Sequence, residues 1–218
     1  MSTVCELQYP ALHRAIIFGN REAFQQALAE GQSVDAADKY GRVPLILAIE
    51  QGDHEIVGLL LQHGADPDIG TTTGMTALHY AAFYGHAAMV TQLLRYGASC
   101  LGPPHHSLSP VHMAVVCGHH TTLQAFIAGG VEMNLLDHMG RTPLHYAARK
   151  GDSSLVAMLL AQGADMHRID QTGRTPWDYA YTRQDQRIME MLRWKTAPDV
   201  TEPYRLTWEQ ALDEGGAP

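Results

Sequence analysis

The sequence predicts an all-α solenoid of about six stacked helix-turn-helix units with projecting β-turn tips. Two glycine series, which begin at Gly19 and Gly31, return every 33 residues along the 218-residue chain, and an apolar series that begins at Leu12 does the same. An alanine keeps this interval six times, at Ala15, Ala48, Ala81, Ala114, Ala147 and Ala180. A constant interval of this length is typical of identical supersecondary units stacked in a row.

The clearest unit lies between Gly140 and Asp170. Thr142 is a favourable N-cap, and Pro143 stands at the first helical position, where its missing N–H costs nothing. Gly151 predicts a left-handed end to this first helix. The second helix carries an apolar face formed by Leu155, Val156, Leu159 and Leu160. One helix pair cannot bury that face alone, so several stacked copies are required.

The same segment carries a G-x-T-P-L-H-x-A-A-x-x-G run, then a leucine-rich helix and G-A-D, over Gly140 to Asp165. Variants occupy Gly74 to Ala98 and Gly41 to Asp66. In these motifs the chain resembles the ankyrin repeat family, over roughly Tyr9 to Trp194. The resemblance implies L-shaped units of two antiparallel helices and a projecting turn, stacked into a curved solenoid. It also implies protein recognition without catalysis.

We expect three regions: an N-terminal extension at 1–8, a repeat domain at 9–194 and a C-terminal tail at 195–218. The expected units are about 9–39, 40–72, 73–105, 106–138, 139–171 and 172–194. In the tail, Thr207 and Gln210 form a capping-box pattern, and Trp208 and Leu212 lie one turn apart. This predicts a short capping helix that docks on the last unit.

Some units depart from the motif. In the second unit Ile46 replaces the motif histidine and Val43 replaces the capping threonine. The fourth unit opens with Pro103 and Pro104, and Ser107 stands in place of the turn glycine. We therefore expect a non-standard projection in the fourth unit.

Composition restricts the class of partner. The net charge of −8 argues against nucleic-acid binding, which usually needs a basic face. No apolar run has the length of a membrane span, and the first residues lack the pattern of a signal peptide. Three widely spaced cysteines without a CxxC motif are typical of reduced thiols. We therefore expect a cytoplasmic monomer that binds neither nucleic acid nor membrane.

The histidines and the missing catalytic motifs argue against chemistry. His13, His79, His112 and His145 share one repeat position, where we expect them to bond backbone in adjacent turns. An alternative metal site would use His105, His106 and His138, but an adjacent pair does not favour closed coordination. We find neither G-x-S-x-G nor a phosphate-binding loop. We therefore predict no catalytic residue, metal or cofactor.

The turn tips and the ends of the first helices form the predicted partner-binding face, which is apolar at its centre and basic toward its C-terminal side. Its expected residues are Tyr40, Arg42, Met75, Phe83, Tyr84, Leu108, Val116, Met139, Arg141, Arg149, Lys150 and Arg174. Exposed aromatic residues beside positive charge are typical of an anchored interface with a charged rim. We expect the partner to present an apolar anchor and acidic residues. The alternative is that the aromatic residues pack on neighbouring turns and that the cations are simply solvated.

These observations favour a non-catalytic adaptor, scaffold or inhibitor that binds another protein. The alternative is a secreted bacterial effector that uses the same surface on a host protein. Its acidic tail would then serve as an export signal, although such tails more often promote solubility.

Overall fold

The computed structural model describes residues 9–101 and 108–193, and these residues form twelve α-helices arranged as six consecutive pairs. The helices are α1 (Ala11–Ile17), α2 (Arg21–Ala29), α3 (Pro44–Gln51), α4 (His54–Gln62), α5 (Ala77–Tyr84), α6 (Ala87–Arg95), α7 (Pro110–Cys117), α8 (His120–Ala128), α9 (Pro143–Lys150), α10 (Ser153–Ala161), α11 (Pro176–Thr182) and α12 (Gln186–Met191). We call each pair a unit, its first helix inner and its second helix outer. The predicted all-α solenoid is confirmed.

Local sequence sets where the inner helices begin and end. Four of them start with proline at the first position, for example Pro143 of α9. The N–H groups of that turn have no helical acceptor, so proline is tolerated there. Helices α3, α5, α7 and α9 each end at a left-handed glycine, and Gly151 has a φ of 80°. The glycine reverses the chain at once into the outer helix of the same unit.

The core runs continuously through the stack. Each inner helix packs against the inner helices of the flanking units and against the outer helix of its own unit. The recurring alanines, such as Ala81 and Ala114, are fully buried and allow the inner helices to approach closely. Phe126 and Leu155 are fully buried among the outer helices. The helix pairs therefore depend on their neighbours for burial, as the repeat predicts.

The turns that connect one unit to the next project from the inner helices. Each described turn is closed by a backbone bond across four residues, as from Asp137 N to Arg141 O at 3.0 Å. The described residues contain no β-strand and no helix long and apolar enough to cross a bilayer. Outside the described residues lie the expected N-terminal extension at 1–8, the Pro103–Ser107 projection and the tail with its capping helix.

Candidate protein-binding face

Four histidines join consecutive units beneath the candidate face. His112 illustrates the arrangement: its Nε2 donates to the carbonyl of Arg141 at 3.0 Å, and its Nδ1 accepts from the Ser109 hydroxyl at 2.8 Å. His79 and His145 bond in the same way. Because a carbonyl can only accept, Nε2 carries the proton in each ring. The expected backbone bonding of these histidines is therefore present.

The first unit has a weaker version of this junction. His13 bonds the carbonyl of Arg42 at 2.8 Å, but Pro10 occupies the N-cap and offers no hydroxyl. His13 Nδ1 is therefore buried without a hydrogen-bond partner among the described residues. Burial lowers the pKa of His13, of His145 and, to about 4, of His112. These rings are neutral near neutral pH, which the acceptor role of Nδ1 requires.

Buried carboxylates organise the turn tips, and sequence reasoning missed their role. Asp137 accepts the backbone N–H groups of Met139 and Arg141 at 2.8 Å, the Arg141 Nε–H at 2.9 Å and the Tyr146 hydroxyl at 2.6 Å. Burial alone would raise the pKa of Asp137, but the hydrogen bonds from Tyr146 and Arg141 outweigh it and leave that pKa lowered. Asp38 and Asp170 hold their own turns similarly, and their separation by multiples of 33 residues was the available signal.

Side chains from the following unit cover the glycines that end the inner helices. His119 lies over Gly85, where an added Cβ would come within 2.8 Å of its ring, and its Nε2 donates to the Phe83 carbonyl at 2.9 Å. Lys150 lies over Gly118 and donates to the Val116 carbonyl at 2.8 Å. These groups complete the last carbonyls of the helices, where positive charge is also favourable.

The centre of the candidate face carries exposed aromatic side chains. Phe83 and Tyr84 follow one another at the end of α5, with 46% and 43% of their surfaces exposed. Their rings meet edge to face at 5.1 Å, and Tyr84 also stacks on His86 at 5.9 Å. Tyr40 is exposed at its turn tip, whereas four other expected apolar residues are half-buried: Met75, Leu108, Val116 and Met139.

The basic side is narrower than the sequence indicates. Arg141 forms an ion pair with Asp137 at 2.9 Å, and Arg42 contacts both Asp38 and Glu50, at 2.9 and 3.2 Å. Their charges are largely offset by these carboxylates, and both residues stabilise turns.

Three other expected cations are exposed: Arg149, Lys150 and Arg174. The guanidinium of Arg149 lies 4.8 Å from the centre of the Tyr146 ring, which also contacts Arg141 at 4.9 Å on the same terms. An exposed guanidinium supported by an aromatic ring is well placed to meet a carboxylate.

The described residues offer no reactive centre at this face. Burial raises the pKa of the Cys100 thiol to about 11, and burial also raises the pKa of Cys117. Both thiols are therefore protonated and weakly nucleophilic near neutral pH. Within 9–101 and 108–193, no three His, Cys, Asp or Glu side chains cluster as metal ligands would. His105 and His106 of the alternative metal site lie outside those ranges.

Comparisons with known proteins agree with this architecture. A family model for ankyrin repeats (3 copies) matches residues 12–102 and 109–202, which together make up most of the chain. The chain therefore belongs to the ankyrin repeat family, a family of protein-interaction modules that is typically non-catalytic. No curated protein sequence matches it significantly.

Two solved structures share the fold. The ankyrin repeat domain of Bcl-3, described as a unique member of the IkappaB protein family, is 25% identical over 84% of this chain and 85% of its own, with a TM-score of 0.78. The ankyrin repeat protein EF0377 is 24% identical over 84% of this chain and 98% of its own, also with a TM-score of 0.78. The likeness to EF0377 shows the fold alone.

Proposed function

We propose that this protein is a non-catalytic adaptor, scaffold or inhibitor that holds a protein partner on its inner-helix and turn-tip face. The observation that carries the proposal is the pair Phe83 and Tyr84, two large consecutive side chains nearly half exposed at the end of a rigid helix. Large exposed apolar residues are uncommon on a surface that contacts only water. Fixed by helix α5, they lose little conformational freedom on binding, which favours an anchor role.

The chemistry of the partner follows from the two parts of the face. An aromatic or aliphatic side chain would contact Phe83 and Tyr84, flanked by the half-buried Met75, Leu108 and Val116. Acidic residues would meet Arg149 and Arg174 on the fifth and sixth units. Arg141 acts on this surface indirectly, because its pairing with Asp137 fixes the ring on which Arg149 lies.

The thiols bear on where such a partner would be met. Cys100 and Cys117 are free in the structure. Unpaired thiols are typical of reducing compartments, and we propose a cytosolic location on that basis.

A photo-crosslinking amino acid at position 83 identifies the partner, and the purified partner is then titrated against variants. Phe83→Ala should weaken binding about 30-fold, as loss of a buried anchor of roughly 2 kcal/mol does. Tyr96→Ala is the matched control, because Tyr96 is 45% exposed but follows an outer helix. If Phe83→Ala binds as tightly as wild type while remaining folded, or if both variants lose affinity equally, this face is not the binding site.

A further inference from the structure

The C-terminal end of the array carries a groove of about 180 Å³. Trp177 and Tyr181 of α11 form one wall, where their rings stack at 5.2 Å and 18°. The groove is lined by Trp177, Tyr181, Gln186, Met189, Glu190 and Arg193. It therefore lies on the last unit, where the described chain ends.

The repeat register shows which way this groove faces. Trp177, Tyr181 and Met189 stand 33 residues after Leu144, Ala148 and Val156, respectively. All three of those earlier residues are fully buried between units. The corresponding side chains of the last unit therefore point in the stacking direction, toward the place that a seventh unit would occupy. The sequence after residue 193 does not continue the repeat motif.

We propose that residues 207–212 of this same chain occupy the groove as a short amphipathic helix and cap the array. Thr207 and Gln210 provide a capping box, and the spacing of Trp208 and Leu212 places both on one helical face. A cavity of about 150 Å³ accommodates a benzene ring, so this groove has the size for one aromatic side chain. Trp208 is the occupant that this size and the apolar wall favour.

Chain length and charge both favour an occupant from the same molecule. The 14 residues from Arg193 to Thr207 can span about 45 Å when extended, several times the distance between packed helices. Arg193 lies at the groove, and Arg187 is exposed on α12. The proposed segment carries Glu209 and is followed by two more acidic residues, Asp213 and Glu214. Its charge is therefore complementary to that of the groove edge.

Hydrogen exchange on the full-length protein tests the proposal. Trp208→Ala and Leu212→Asp should each speed exchange of the α12 amides at least about fivefold, because the cap that protects them is lost. Tyr204→Ala, which lies before the proposed helix, should leave α12 unchanged. Exchange in α9 serves as the internal reference and should not change in any variant. Unchanged α12 exchange in both Trp208→Ala and Leu212→Asp would overturn the proposal.

A disulfide experiment identifies the occupant. Met189→Cys combined with Leu212→Cys should form an intramolecular 189–212 disulfide on mild oxidation, detected by peptide mass spectrometry on the monomer band. The pair Met189→Cys with Tyr204→Cys is the control and should form little of it. A 189–212 disulfide found only in a dimer would place a second copy in the groove and reject capping within one chain. No 189–212 disulfide at all would reject it equally.

Discussion

Acidification should destabilise this protein through His112, and the structure sets the size of the effect. Burial holds the pKa of His112 at about 4, against 6.5 for an unhindered imidazole. In the unfolded chain the ring binds a proton near pH 6.5, whereas the folded protein keeps it neutral down to about pH 4. The stabilisation is therefore complete above about pH 7 and is lost as pH falls from 6.5 toward 4. At about pH 5 the loss attributable to His112 is roughly 2 kcal/mol.

The variant His112→Gln isolates this contribution because glutamine does not titrate. Urea unfolding, followed by far-UV circular dichroism and by tryptophan fluorescence, gives the free energy of unfolding at about pH 7.5 and pH 5. Wild type should lose roughly 2 kcal/mol more than His112→Gln between these conditions. His13 and His145, whose pKa values are also lowered by burial, contribute to both proteins and cancel in the difference.

His138→Gln is the control, because His138 is exposed at a turn tip. It should lose as much stability as wild type. Equal losses for wild type and His112→Gln would refute the reasoning, since the junction would then not be what keeps this imidazole neutral. The two spectroscopic transitions must coincide for the comparison to be valid, because repeat arrays can unfold in parts.

Two further results are expected. Gly85→Ala should destabilise the fold by about 1 kcal/mol more than Gly97→Ala in the same urea assay; both glycines are left-handed, with φ of 79° and 83°, but only at Gly85 would the new Cβ displace a histidine ring and its hydrogen bond. Equal costs would mean that this ring contributes nothing to the junction. Arg149→Glu should slow association with the identified partner and reduce the salt dependence of its rate, whereas Arg95→Glu on outer helix α6 should not, as stopped-flow measurements at several ionic strengths can show. A change of the same size in both variants would assign the effect to net charge.

The fold was predictable because the repeat interval specifies burial and helix ends directly. Ala81 and Ala114 recur at the point where inner helices meet, and Gly85 ends a helix wherever its series returns. The exposure of Phe83 also follows, because its distance from that glycine fixes its position on the helix. These features depend on local geometry that is the same in each unit.

The electrostatics of the candidate face were not predictable in the same way. Arg141 has the appearance of a free cation in the sequence, yet the tight turn directs the Asp137 carboxylate inward to meet it. Tyr146 joins the same carboxylate from nine residues away, across the start of the next helix. Only the turn conformation brings these three groups together, and residue type and spacing do not specify it.

The histidine bonds that join consecutive units are not distributed evenly. Every junction from the first unit to the sixth has one except that between the second and third, where Ile46 is buried at the histidine position and offers no donor. That boundary is held by packing without a directional bond from this position. A pulling force or mild denaturant should therefore split the array there first, into a fragment of two units and a fragment of four that keeps Phe83 and Arg149 together.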